Sequence, residues 1–178
     1  MRATRPSEVS PIFITLLTPS GGVGKALPVL ESDAMLDHEY PESTRRREYR
    51  YLFTSKHHGG HGDGQWLASL SEYDEFAVFD GADDMNLSDE DGNFFGALAN
   101  GDQGLRMLGS YEEQIAMFPC AAAGSPWHGY PLWALSDGAP PNRRNQKHRP
   151  AKEVFDKMLG VGLINQEMRR RLMKGDHV

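Results

Sequence analysis

A single cysteine, Cys120, stands in the 178 residues of this chain. An internal disulfide framework is therefore excluded, and an unpaired thiol fits a reducing compartment. Long hydrophobic runs are also missing. The longest near the N-terminus, Ile12–Leu17, falls well short of the roughly 20 residues that cross a bilayer. Arg2 and Arg5 precede it as they would in a secretory leader, but the apolar run is too short and Glu8 interrupts the basic region. The expectation is a soluble, cytoplasmic protein with no membrane partner. No internal repeat is present, and strands and helices do not alternate as in a doubly wound sheet.

Basic residues are scarce where acids are dense. Residues 57–142 contain one, Arg106, against fourteen Asp and Glu, a local charge of −13. Residues 1–56 carry +1 and residues 143–178 carry +6, which gives the net −6 of the chain. Like charges on one body repel one another and attract a partner of opposite sign. Either the basic end folds back onto the acidic body, or that body faces a basic partner.

The local patterns indicate an α+β fold: a mixed or antiparallel sheet, a few short helices and a C-terminal helical hairpin. Three regions are expected: a flexible N-terminus over 1–10, an acidic α+β domain over 11–140, and a basic C-terminal helical appendage over 141–178, divided at Pro140-Pro141. Ile12–Leu17 reads as a strand and Ala26–Asp37 as a short helix. Arg46–Thr54 reads as a strand whose Tyr49, Tyr51 and Phe53 alternate with Glu48, Arg50 and Leu52. Trp66, Leu67, Leu70 and Tyr73 form a helical stripe with Asp63 as its cap. Glu75–Asp80 reads as a further strand. Asp91-Gly92 signals a turn into Asn93–Ala99, and Ser110 with Glu113 makes a capping box ahead of a helix ended by Pro119. Trp127–Leu135 reads as extended, held to an edge by Pro131. Pro150–Leu159 and Asn165–Lys174 read as two helices, the second stopped at Gly175.

Chemistry-bearing residues concentrate at Lys56–Gly64. His57, His58 and His61 lie within five positions, followed by Asp63. Imidazole and carboxylate suit zinc and other first-row divalent metals, and the flanking glycines permit convergence. The spacing matches no standard metal motif, and a mobile polar loop is the competing reading. Ser20–Ala26 resembles the core of a P-loop, including the Gly-Gly-Val-Gly-Lys of partition-type ATPases. Pro19 stands where that frame requires Gly, and Ala26 where it requires the hydroxyl that holds magnesium, so a flexible loop is expected there. The acidic stretch Asp83–Asn93 does not fit an EF-hand, because registering on Gly92 puts leucines at the first and twelfth positions. Cys120 is expected to pack as a small side chain.

Two functions from different classes follow. The first is a non-catalytic macromolecule-binding protein of the immunity or antitoxin type, needing no cofactor. Asp83, Asp84, Asp89, Glu90 and Asp91 would steer a basic protein partner, and Trp127, Tyr130 and Trp133 would anchor it. The alternative is a metal-dependent hydrolase or nuclease using His57, His58, His61 and Asp63, with zinc or another divalent metal as cofactor. A weaker third reading is a nucleic-acid-binding accessory protein, with Arg143, Arg144, Lys147, Arg149, Arg169, Arg170 and Arg171 on phosphates.

Overall fold

Among the described residues, two short antiparallel sheets and three helices form an α+β architecture. The computed structural model describes residues 36–59, 64–101, 104–134 and 149–178. All of them belong to one unit of the chain, Met35–Val178. The readings at Ile12–Leu17, Ser20–Ala26 and Pro140-Pro141 lie outside the described residues, as does nearly all of Ala26–Asp37.

β1 (His38–Ser43) and β2 (Arg50–Phe53) form a hairpin. The expected strand over Arg46–Thr54 is thus shorter, because Arg45–Arg47 turn the chain. Buried Thr44 closes that turn, its Oγ1 accepting the Tyr49 N–H at 3.0 Å. The predicted alternation is present: Tyr51 and Phe53 are buried and Arg50 is exposed.

α1 (Glu72–Asp84) replaces the strand expected at Glu75–Asp80. Its start is a capping box, with Ser71 Oγ accepting from the Asp74 N–H and the Asp74 carboxylate accepting from the Ser71 N–H. Phe76, Val78, Phe79 and Ala82 are buried along one face. The helix expected around Trp66–Tyr73 does not form. Trp66 instead bridges Gly109, Leu67 N–H donates to Leu108 at 2.8 Å, and Tyr73 is 66% exposed. Pairing with 108–110 holds this segment extended, so the helix begins only at the Ser71 cap.

β3 (Phe94–Gly96), β4 (Ile115–Phe118) and β5 (Tyr130–Leu132) form the second sheet, with β4 in the centre. The helix expected after Ser110 is therefore a strand. The Glu113 carboxylate accepts the Tyr111 N–H instead of capping a helix, and β4 is buried on both faces, as a central apolar strand should be. Pro131 does lie at an edge. On one face Phe94, Ala116 and Phe118 pack with Tyr51, Phe53 and the α1 residues. On the other, Phe95, Ile115, Met117 and Leu132 pack with α2 (Lys152–Gly160) and α3 (Gln166–Leu172) through Val154, Phe155, Met158 and Leu172. Each large side chain buried this way contributes about 2 kcal/mol. The basic helices thus complete a core that the acidic segment begins. α3 starts where expected, Asn165 Oδ1 accepting the Met168 N–H at 2.9 Å.

The chain before β5 joins the two sheets. Trp127 exchanges backbone bonds with β2, donating to Arg50 at 2.8 Å and accepting from Leu52 at 2.6 Å. Three residues later the same segment pairs with β4. This brings His128 and Tyr130 beside the end of β2.

Candidate functional site

β2 runs into a short 3-10 turn, Ser55–His57, and four histidines from three parts of the chain meet there. Asp37 pins the turn, its Oδ1 accepting the Ser55 N–H at 2.7 Å and the Ser55 hydroxyl at 2.8 Å. These bonds hold its carboxyl below the ordinary range. His38 and His58 lie against the Phe53 ring, at 5.3 and 4.1 Å between centroids.

Both of these imidazoles face carboxylates of α1. His38 Nε2 lies 3.1 Å from Glu72 Oε2, while its Nδ1 meets the Leu36 carbonyl. The Leu36 bond and then Glu72 raise the His38 pKa. His58 Nε2 lies 3.2 Å from Glu75 Oε1 without an aligned hydrogen bond. Glu75 is 1% exposed and takes the Tyr51 hydroxyl at 3.3 Å. Burial pushes its carboxyl up, opposed by His58 and Tyr51.

His57 and His128 behave in the opposite way. Their rings stack at 6.2 Å, 14° from parallel, with Tyr130 on His57 at 5.3 Å. His57 is buried and its Nδ1 meets the Gly64 carbonyl at 3.0 Å. Desolvation lowers its pKa to about 4, and desolvation also lowers that of His128. Trp66 closes the arrangement, its indole N–H donating to Gly129 at 3.1 Å and its backbone N–H to His57 at 2.9 Å. At neutral pH this corner thus sets a pair of uncharged imidazoles beside a pair that faces carboxylates.

The histidine run is therefore split. His57 turns to Gly64, His128 and Tyr130, and His58 turns to Glu75, so the two do not converge on one ion. Among the described residues no three His, Cys, Asp or Glu side chains gather as metal ligands; His61 and Asp63 lie outside the described residues. No spacing in the sequence places His38, His128 and Glu75 at this corner, since the β1–β2 pairing and the Trp127 crossover bring them there.

The acids expected to steer a partner do not form one set. Asp83 is buried and held by Arg47, whose N–H donates to Oδ2 at 3.1 Å and whose Nε lies 3.4 Å from Oδ1. It presents no charge outward, and neighbouring Asp80 is likewise bound by Arg45 at 2.6 Å. Asp89 binds Asn93 within its own turn. Asp84, Glu90 and Asp91 are exposed and form no ion pair with another described residue. Trp127 and Trp133 are buried, at 6% and 8% exposure, and Tyr130 is half-buried against His57; burial removes the tryptophans as ready contact anchors. Cys120 is exposed rather than packed.

Of the basic set, Arg143, Arg144 and Lys147 lie outside the described residues, and Arg149 is exposed. Arg169 is bound to Asp156 and Arg170 to Glu167, within the two C-terminal helices. Lys157 donates to the Ser88 carbonyl at the entry to the acidic turn. Among the described residues no helix is long and apolar enough to cross a membrane. No family model, no curated protein and no solved structure matches the chain.

Proposed function

We propose that this is a non-catalytic binding protein, of the kind that neutralises or chaperones a cationic protein, as immunity proteins and antitoxins do. Its acidic edge comprises Asp84, Glu90 and Asp91, with Asp89 shaping the turn between them. One observation carries the reading: these carboxylates stay exposed while Arg169 pairs with Asp156 of α2 and Arg170 with Glu167 of α3. Among the described residues no cation pairs with these carboxylates, and an open negative field accelerates encounter with a basic surface. Since Trp127 and Trp133 are buried, the contact is electrostatic rather than anchored on those rings.

The test is capture from the native host, followed by binding kinetics with the recovered partner. The expected partner is basic, and D84N/E90Q/D91N slows association about tenfold at low salt, with a flatter salt dependence. A partner that binds the triple variant at the parental rate, or no stoichiometric partner, overturns the reading.

A further inference from the structure

The histidine corner has two halves that respond to acid in opposite senses, and they share one support, the turn after β2. His38 on β1 faces Glu72 of α1, a contact that a protonated imidazole strengthens. His57 and His128 face each other as stacked, uncharged rings, a contact that protonation weakens by setting like charges side by side. Within reach of His57 are Lys56 and His58 on its own segment, and His128 and Tyr130 on the strand packed against it. Asp37 faces His128 from the entry to β1, and Glu75 of α1 faces His58. Lys56 adds a further positive charge beside the stacked pair, and among the described residues Asp37, already bound to Ser55, opposes it.

We propose that this corner is an acid-operated latch: protonation of His57 and His128 parts the Ser55–His58 turn from the His128–Tyr130 segment, while the His38–Glu72 contact keeps the hairpin on α1. The contacts that part are the His57–His128 and His57–Tyr130 stacks and the bonds they shelter, Trp66 N–H to His57 and Trp66 indole to Gly129. None of these histidines belongs to the two cores on either side of β4, which meet the latch at Trp66 and Tyr130. The device is independent of the acidic edge and stands whether or not that edge binds a partner.

The experiment is amide and indole hydrogen exchange by NMR on the full chain, corrected for intrinsic rates, at pH 7.4 and 4.5. The reporters are the Trp66 backbone and indole N–H groups; the β4 amides of Ile115–Phe118 are the reference. His57 titrates near 4 when closed, against 6.5 ordinarily, so protection of the reporters is expected to fall on the order of 50-fold at pH 4.5. β4 protection is expected to hold. H57Q keeps a donor for Gly64 without a charge and is expected to cut the loss severalfold; H128F is expected to move opening to lower pH. Reporters that stay protected at pH 4.5, or that exchange in step with β4, overturn the latch, as do H57Q and H128F proteins that both open at the parental pH. Should either variant fail to fold, the other variant and the parental profile decide.

Discussion

Arg46 Nη1 donates to the Asp83 backbone carbonyl at 2.9 Å, closing the end of α1 from a hairpin turn far away in sequence. The helix needs this help. Its final turns contain Asp80, Asp83 and Asp84 and no basic residue, which places negative charge at the negative end of the helix dipole. Arg45 takes Asp80, Arg46 takes the terminal carbonyls and Arg47 takes Asp83. Three successive arginines at a hairpin tip thus supply the positive charge that the last turn of the helix lacks.

Arg47→Ala is expected to be the most damaging change at this tip. It leaves the Asp83 carboxylate buried with one backbone donor and without its Arg47 partner, and a buried charged group deprived of a partner costs about 2 kcal/mol. Arg46→Ala removes a charged donor from carbonyls at the negative end of the helix and is expected to cost about 1 kcal/mol. Urea unfolding of both variants and of R47A/D83N checks this. The double variant should regain part of the loss, because the uncompensated charge is gone.

One substitution at two glycines should give opposite signs. A Cβ on Gly96 would lie 2.5 Å from the Val78 carbonyl oxygen, so G96A forces β3 away from α1 and is expected to cost about 3 kcal/mol. A Cβ on Gly160, the last residue of α2, meets nothing within 4 Å. G160A should stabilise the protein by about 0.5 kcal/mol through helix propensity and a less flexible unfolded chain. Thermal melts of the two variants beside the parent measure both.

Two Ser-x-x-acid segments show how far the sequence could be read. Ser110–Glu113 looks like a helix start, but the residues after it run only to Pro119, and neighbouring strands pair with both edges of Ile115–Phe118. Ser71–Asp74 is the true capping box, masked by the β-like composition of Phe76, Val78 and Phe79. Local signals sufficed for the alternation in β2, for the Asn165 cap and for Pro131 at an edge, since each depends on neighbours in sequence. The histidine corner was half legible: the run His57-His58 marks the place. Its pairing with His38, His128 and the α1 carboxylates depends on contacts between distant segments, which no spacing records.

Glu75 gives a pH dependence opposite in sign to that of His57. Burial raises its pKa in the folded state above the ordinary 4.5. The stability linked to its protonated form is therefore full below pH 4.5 and is lost as pH rises through the folded value. Glu75→Gln keeps an acceptor for the Tyr51 hydroxyl and removes the buried charge. The variant is expected to gain in melting temperature relative to the parent on going from pH 4.5 to pH 8. A difference that is flat with pH, or that shrinks as pH rises, would assign Glu75 a net favourable charge and contradict its desolvation.

Gln114 is buried and holds Val178 by both halves of its backbone: Oε1 accepts the Val178 N–H at 2.8 Å, and Nε2 donates to the Val178 carbonyl. The same Nε2 meets the Leu105 carbonyl at 2.7 Å, and the Leu105 N–H donates to Val178 at 3.2 Å. One amide thus ties residues 105 and 178 to the strand that begins at Ile115. Gly104 belongs to the same arrangement, since a Cβ there would collide with the Val178 backbone. Gln114→Met preserves length and removes every polar contact of the side chain, leaving the Leu105 carbonyl without its Gln114 donor. Because unpaired buried polar groups cost about 1–3 kcal/mol each, Q114M is expected to lose about 2 kcal/mol. It should also free the segment around Val178 locally. Exchange at the Val178 and Leu105 amides should rise more than that of the α2 amides, which pack in the same core without touching Gln114. A uniform rise across α2 and α3 would instead make Gln114 part of the core's global stability rather than a local clamp.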